Sequence, residues 1–251
     1  MIKFFRKIRY NLMSTGKTAN YIKYAIGEIL LVVVGILIAL SVNNWNQERI
    51  SSKRETVILK SLKSELITNL KELRYDLKSY QYIYQSTLDV YSYIQNKPEV
   101  VDSMYEDFYN CVGFNYFFPK TSTYETLKSG KMELIKSDSL KEIITDIYES
   151  DFKRILDKVE TRRNAARLLF PYYQSHFKTV FAEKIDSIDL RKKFVRKLGI
   201  PNNYNFVIND PEFETLIVEA IGGRLNFLSG YKNSIKDVES CLNKIDDYLN
   251  E

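Results

Sequence analysis

The stretch Tyr24–Val42, YAIGEILLVVVGILIALSV, constrains this chain more than any other feature. As a helix its 19 residues, at about 1.5 Å rise each, extend about 28 Å, close to the roughly 30 Å of a bilayer's hydrocarbon core. From Ile29 to Leu40 no side chain is polar, and the one ionisable residue, Glu28, lies about 6 Å from the N-terminal end at helical rise. Tyr21 and Tyr24 before the run and Trp45 after it stand where interfacial aromatics belong. Asn43, Asn44, Asn46 and Gln47 mark the return to water. The stretch predicts one transmembrane helix over residues 24–42. A buried helix of a soluble core would meet the length but not the flanks. A cleaved secretory signal is the closer competitor, because Ala39-Leu40-Ser41 offers small residues at −3 and −1 of a cleavage site. A retained anchor is preferred: the basic segment before the run is long, and the apolar run exceeds the roughly 7–15 residues of a signal core and carries Glu28.

Charge placement sets the orientation. Six of the 37 bases (Lys3, Arg6, Lys7, Arg9, Lys17, Lys23) and none of the 32 acids stand in residues 1–27, so the remainder carries 31 bases against 32 acids. Arg49, Lys53 and Arg54 follow the span but are partly offset by Glu48 and Glu55. The N-terminus is therefore expected in the cytoplasm and the body, residues 43–251, on the far side of the membrane. Residues 1–23 read either as a basic amphipathic helix, with Phe4 or Phe5, Ile8 and Leu12 on one face lying on membrane lipid, or as a bare topology signal. Within the span, Gly35-x-x-x-Ala39 would let a second helix approach closely. Glu28 reads either as a contact to an intramembrane partner or as a shallow acid reaching headgroup water or Lys23.

Beyond Trp45 the pattern is helical. Leu62, Leu66, Leu70, Leu73, Leu77, Tyr80, Tyr84, Leu88 and Tyr91 recur at three- and four-residue spacing, with neither Gly nor Pro before Pro98. Asp210-Pro211 opens a C-terminal helix whose second half keeps Leu228, Tyr231, Ile235, Val238, Leu242, Ile245 and Leu249 in phase, with a bend expected at Gly222-Gly223. Between them Ser122-Thr-Tyr-Glu125 reads as a capping box for a short helix ended at Ser129-Gly130. Ser137-Asp138-Ser139 caps a longer helix, with Leu140, Ile144, Ile147, Ile155, Val159 and Ala166 in its stripe, running to Phe170 before Pro171. Asn203–Ile208 is the one segment considered as a strand. Nine Gly and five Pro are too few for a turn-rich β protein. The fold class expected is all-α, an N-terminal transmembrane helix followed by an antiparallel long-helix bundle of three to four main helices.

The opening MIKFFRKIR, the span YAIGEILLVVVGILIAL followed by NNWN, and the central Tyr124-Glu-x-Leu127-x-x-Ser129-Gly130-Lys-x-x-Leu134-Ile135 with Leu140 resemble a family of unknown function found in Bacteroidota. That resemblance covers the whole chain and implies a single-pass inner-membrane protein with a helical periplasmic domain and no assigned activity. Ser41 departs from the larger polar residue expected there. Physically, the central motif reads as a fold-specifying corner: Leu127, Leu134 and Ile135 in the core beside Tyr124, and Gly130 at a helix end with φ > 0.

Chemistry is sparse. His176 is the single histidine, stands beside no distinctive nucleophile and reads as a helix-end residue. Two Cys and one His make a poor ligand set, so no metal is expected, and no P-loop or dinucleotide fingerprint is present. Asp146 with Glu149, and Asp246 with Asp247, read as solvated pairs. Cys111 and Cys241 could form a disulfide in an oxidising compartment. The near-neutral body disfavours nucleic acid. These readings leave a non-enzymatic membrane-anchored interaction or scaffold module, binding another envelope protein or itself, or else a periplasmic ligand-sensing bundle signalling through a partner. No catalytic residue or cofactor is expected.

Overall fold

The computed structural model describes residues 10, 18–160, 165–183 and 196–250. Nearly all of the basic N-terminal segment therefore lies outside the described residues, as do the Val159 and Ala166 side chains. The chain divides into two compact units, 1–57 and 58–251. Helix α1 is Thr18–Asn96, with its residues to Val57 in the first unit and those from Ile58 in the second. In the first unit every residue from Ile29 to Ile50 is exposed. This long apolar N-terminal helix has the length and composition of a membrane span or signal anchor.

The described residues of the second unit are all-α apart from one short antiparallel strand pair. After α1 come α2 (Met104–Asn110), α3 (Ser122–Lys128), a 3₁₀ turn (Met132–Leu134) and α4 (Asp138–Asp146). A π-turn (Ile147–Asp151) leads into α5 (Phe152–Glu160), followed by α6 (Ala165–His176), β1 (Phe177–Phe181), β2 (Lys197–Pro201), α7 (Tyr204–Val207) and α8 (Pro211–Asn250). Its two longest segments share a heptad logic. On α1 the buried seam is Leu59, Leu62, Leu66, Asn69, Leu73, Asp76, Tyr80, Ile83, Thr87, Val90 and Ile94, an unbroken alternation of threes and fours, with Glu65, Leu70 and Ser86 buried beside it. On α8 they are Phe213, Ile217, Ala220, Arg224, Phe227, Tyr231, Ser234, Val238, Cys241 and Ile245, in the same alternation, with Leu228 beside Phe227. The helices run antiparallel: Lys63 pairs with Asp246, Arg74 with Glu239 at 2.6 Å, and Gln95 with Glu214 at 2.6 Å, so the partner number falls as the residue number rises. The segment α4, π-turn and α5 packs on α8 as a third layer, burying Leu140, Ile144, Ile147, Tyr148, Phe152 and Ile155. The core forms two clusters. One joins Leu59–Tyr80 of α1 to α3, α4, α5 and the second half of α8. The other joins Val90 and Ile94 to α2, α6, β1 and the first half of α8.

Helix ends follow local chemistry. Lys97 closes α1 at φ +48°, its N–H donating to the Tyr93 carbonyl at 2.9 Å just before Pro98. Ser137 Oγ caps α4 by accepting from the Leu140 amide at 3.4 Å. Asp210 Oδ1 accepts from the Glu212 amide at 3.0 Å at the start of α8, while Asp210 Oδ2 accepts from the Tyr172 hydroxyl at 2.6 Å. Gly130, at φ +107°, turns the chain out of α3.

Several sequence expectations are corrected. Asn203–Ile208 is not a strand: Asn203 Oδ1 caps the Phe206 amide at 3.0 Å and opens α7. The strands are instead Phe177–Phe181 and Lys197–Pro201, antiparallel with Thr179 opposite Gly199. Pro171 does not end its helix, because α6 carries it inside and runs to His176. Leu134 is only half-buried in the 3₁₀ turn, and Met132 packs on the core in its place. Leu77, Tyr84, Leu88, Tyr91, Ile235, Leu242 and Leu249 flank the seams, half-buried, while polar residues fill several seam positions. Helix α8 passes Gly222-Gly223 as one element. Cys111 and Cys241 are free thiols in different core clusters, so they form no disulfide.

Candidate functional site

The site is built around the connector 111–121 between α2 and α3, which has little regular structure and is held by side chains from the bundle. Asn69, fully buried on α1, clamps its far end: Asn69 Nδ2 donates to the Lys120 carbonyl at 2.8 Å and Asn69 Oδ1 accepts from the Lys120 amide at 2.7 Å. The Tyr80 hydroxyl donates to the Asn115 carbonyl at 2.9 Å and accepts from the Asn115 amide at 3.4 Å. At the near end the Arg224 guanidinium, 2% exposed, donates to Thr87 Oγ1, to the Cys111 carbonyl and, at 3.5 Å, to the Gly113 carbonyl. It meets no carboxylate among the described residues, and burial pulls its ordinary value down to about 10.

Beyond the connector, the buried Glu65 carboxylate accepts from the Ser122 hydroxyl (3.0 Å), the Thr123 amide (2.7 Å), the Tyr124 amide (3.3 Å) and the Tyr148 hydroxyl (2.8 Å). This corrects the capping-box reading of Ser122 and Glu125. The amides at the start of α3 are capped from α1, and the Ser122 hydroxyl is a donor in that cap. Tyr124 stacks on Tyr148 at 4.3 Å and donates to Glu149 at 3.0 Å. The Glu149 carboxylate also takes Lys128 and Lys153, and these hydrogen bonds hold it down to about 2. The fold-specifying corner thus exists, with Tyr124, Leu127 and Ile135 buried, but its anchor is Glu65.

Asp76 is a buried carboxylate whose charged form the fold disfavours. Its Oδ2 accepts from the Tyr231 hydroxyl at 3.5 Å. Burial first, then the nearby Glu72 charge, push its carboxyl up to about 6, against hydrogen bonds from Tyr231 and Asn115 that lower it. A carboxyl raised on folding stabilises fully below its unfolded value near 3.8, and that stability is lost as pH rises through about 6. Asp76→Asn is therefore expected to raise stability by up to about 3 kcal/mol at pH 7.5, little at pH 4, and to flatten the loss between them. Denaturant titration of both proteins at the two pH values checks this.

Thus held, the connector alternates its aromatics. Phe117 is buried, whereas Phe114 (45% exposed), Tyr116 (46%) and Phe118 (69%) face outward, with ring centroids 5.0 and 6.0 Å apart along the row. Phe114 also lines a cleft of about 570 Å³ with Tyr109, Val112, Gly113, Phe170, Tyr173, Gln174, Phe177 and Thr179. Gly199 makes its floor possible: a methyl there would strike the Tyr173 hydroxyl and lie 2.9 Å from the Tyr109 amide nitrogen, so β2 passes only as glycine. Tyr173 stacks on Phe177 at 4.6 Å, and Thr179 Oγ1 reaches the Tyr173 hydroxyl at 3.4 Å. At the edge the Lys197 ammonium lies 5.7 Å from the ring centres of both Tyr109 and Phe181.

The other sequence candidates sit elsewhere. Gly35 and Ala39 are exposed on α1, with open space where a Gly35 side chain would be, and Glu28 is half-buried. His176 is stacked between Tyr172 at 4.3 Å and Phe206 at 5.3 Å, a packing role. Asp246 pairs with Lys63. Among the described residues no three His, Cys, Asp or Glu side chains gather as a metal site.

A family model described as "Family of unknown function (DUF6090)" matches residues 28–221. The chain belongs to this family. The DUF6090 match takes in Glu28, Gly35, Ala39, the aromatic connector and the whole cleft, and stops just before Arg224. No curated protein and no solved structure matches this DUF6090 chain.

Proposed function

We propose that this DUF6090 protein is a tethered interaction module of the bacterial envelope, spanning the inner membrane once through Tyr24–Val42 with its N-terminus in the cytoplasm and its helical domain in the periplasm. The observation that carries the reading is the N-terminal helix, long and apolar enough to cross a membrane, in which every residue from Ile29 to Val42 is exposed among the described residues. An uncovered apolar surface of that size needs lipid or a partner. The outward row of Phe114, Tyr116 and Phe118 adds a second uncovered apolar feature, on the helical domain, suited to an aromatic-rich protein contact. The partner is another envelope protein or a second copy of the chain, met in the membrane through the face carrying Glu28, Gly35 and Ala39.

A photoreactive residue at Gly35 or Glu28, activated in intact membranes, tests the contact. The reading expects a protein adduct, identified by mass spectrometry as this chain or as one membrane protein recovered from both positions. Adducts to lipid alone contradict it. A second reading, a ligand-sensing bundle that signals through a partner, is favoured by the aromatic cleft between α2, α6 and β1.

A further inference from the structure

The cleft combines three features that point to a kind of ligand. Its volume, about 570 Å³, lies within the roughly 300–1,000 Å³ of small-molecule sites. Its walls are mostly aromatic, and Phe114 and Phe170 keep 45% and 50% of their surface open. None of its nine lining residues is charged, and the ammonium of Lys197 lies 5.7 Å from the ring centre of Tyr109, one of the nine. That ammonium has no carboxylate partner among the described residues, whereas its neighbour Arg196 is committed to Glu106 at 2.5 Å. A cation held by ring faces alone keeps its hydrogen-bonding capacity for something else. The Gln174 amide and Thr179 hydroxyl supply neutral polar contacts within the cleft.

We infer that this cleft binds a small amphipathic carboxylate, a flat apolar body against Tyr109, Phe114 and Phe170 with its single negative charge at Lys197. A dianion would exceed the single charge that Lys197 supplies, and a cation would meet Lys197 itself. The inference goes beyond the tether reading and needs neither its orientation nor its membrane partner, so either can fail alone.

The test uses the full chain in nanodiscs of zwitterionic lipid, with 2-naphthoate as probe, its neutral isostere 2-naphthamide as comparison, and empty nanodiscs subtracted. Saturable one-site binding of 2-naphthoate is expected, about tenfold tighter than 2-naphthamide, as one charge-assisted contact gives. Lys197→Met should erase that preference and leave the amide's affinity in place, while Phe170→Ala weakens both. Phe170 is half-exposed and Lys197 partly exposed, so both variants should keep the fold. Absence of saturable 2-naphthoate binding, or a preference that survives Lys197→Met, overturns the assignment.

Discussion

Arg224→Ala is expected to lower the stability of the helical domain by about 3 kcal/mol. The change leaves the Cys111 and Gly113 carbonyls and the Thr87 hydroxyl without their donor, at about 1–3 kcal/mol for each group that stays buried. It also empties the space of a long side chain at the junction of α1, α8 and the connector, which adds a cavity cost. Against these stands the relief of removing a buried cation that has no acid partner among the described residues, and the net loss is accordingly smaller than the two costs together. Arg224→Lys keeps the charge but replaces a planar fork by a single ammonium, so it should recover part of the loss and not all of it. Chemical unfolding of the three proteins in one detergent measures the series. Equal stability of all three would mean that the connector is held without Arg224.

Glu65→Ala is the second large effect, expected at about 3–5 kcal/mol. Four donors converge on this carboxylate, and two are backbone amides at the start of α3 that water reaches poorly. With the acceptor gone, α3 loses its cap and the Tyr124–Tyr148 stack loses the oxygen that fixes the Tyr148 hydroxyl. Glu65→Gln retains one acceptor oxygen but turns an N–H₂ toward donors, so its cost should fall between wild type and alanine. The order wild type, glutamine, alanine in midpoint denaturant concentration is the readout. A capping role for Ser122 alone would instead make both Glu65 variants nearly neutral.

The helical class, the end of α1, the extent of α3 and the starts of α4 and α8 were legible from apolar spacing, turn and capping residues and the Asp210-Pro211 start. The site was not, and the reason is specific. Tracing only apolar residues along α1 runs from Leu73 to Leu77, Tyr80, Tyr84, Leu88 and Tyr91, whereas the buried seam runs through Asp76, Tyr80, Ile83 and Thr87, so that the two share only Tyr80. On α8 the same habit begins the stripe at Leu228 and misses that Arg224 falls in phase with Phe213, Ile217 and Ala220. A polar residue in an apolar register is itself a signal, because it must find a partner when buried. Asn69, Asp76, Thr87 and Arg224 all contact the connector or one another, so they mark where a non-helical segment crosses the bundle. The hairpin was hidden for another reason. Neither Phe177–Phe181 nor Lys197–Pro201 alternates cleanly, and what fixes their pairing is the close pass of Gly199 by Tyr109 and Tyr173, a tertiary fact.

Single-cysteine labelling tests the central claim, a single span with the N-terminus inside and the helical domain outside. The native thiols allow it without removal: Cys111 and Cys241 are buried, and burial pushes both up to about 12, far from the reactive thiolate. A cysteine at the exposed position Lys232 and another at Thr15 are reacted with a membrane-impermeant maleimide in spheroplasts. The account predicts that Lys232→Cys is labelled in intact spheroplasts and Thr15→Cys only after lysis. The reverse pattern, or a Lys232→Cys protein released from washed membranes, would contradict it.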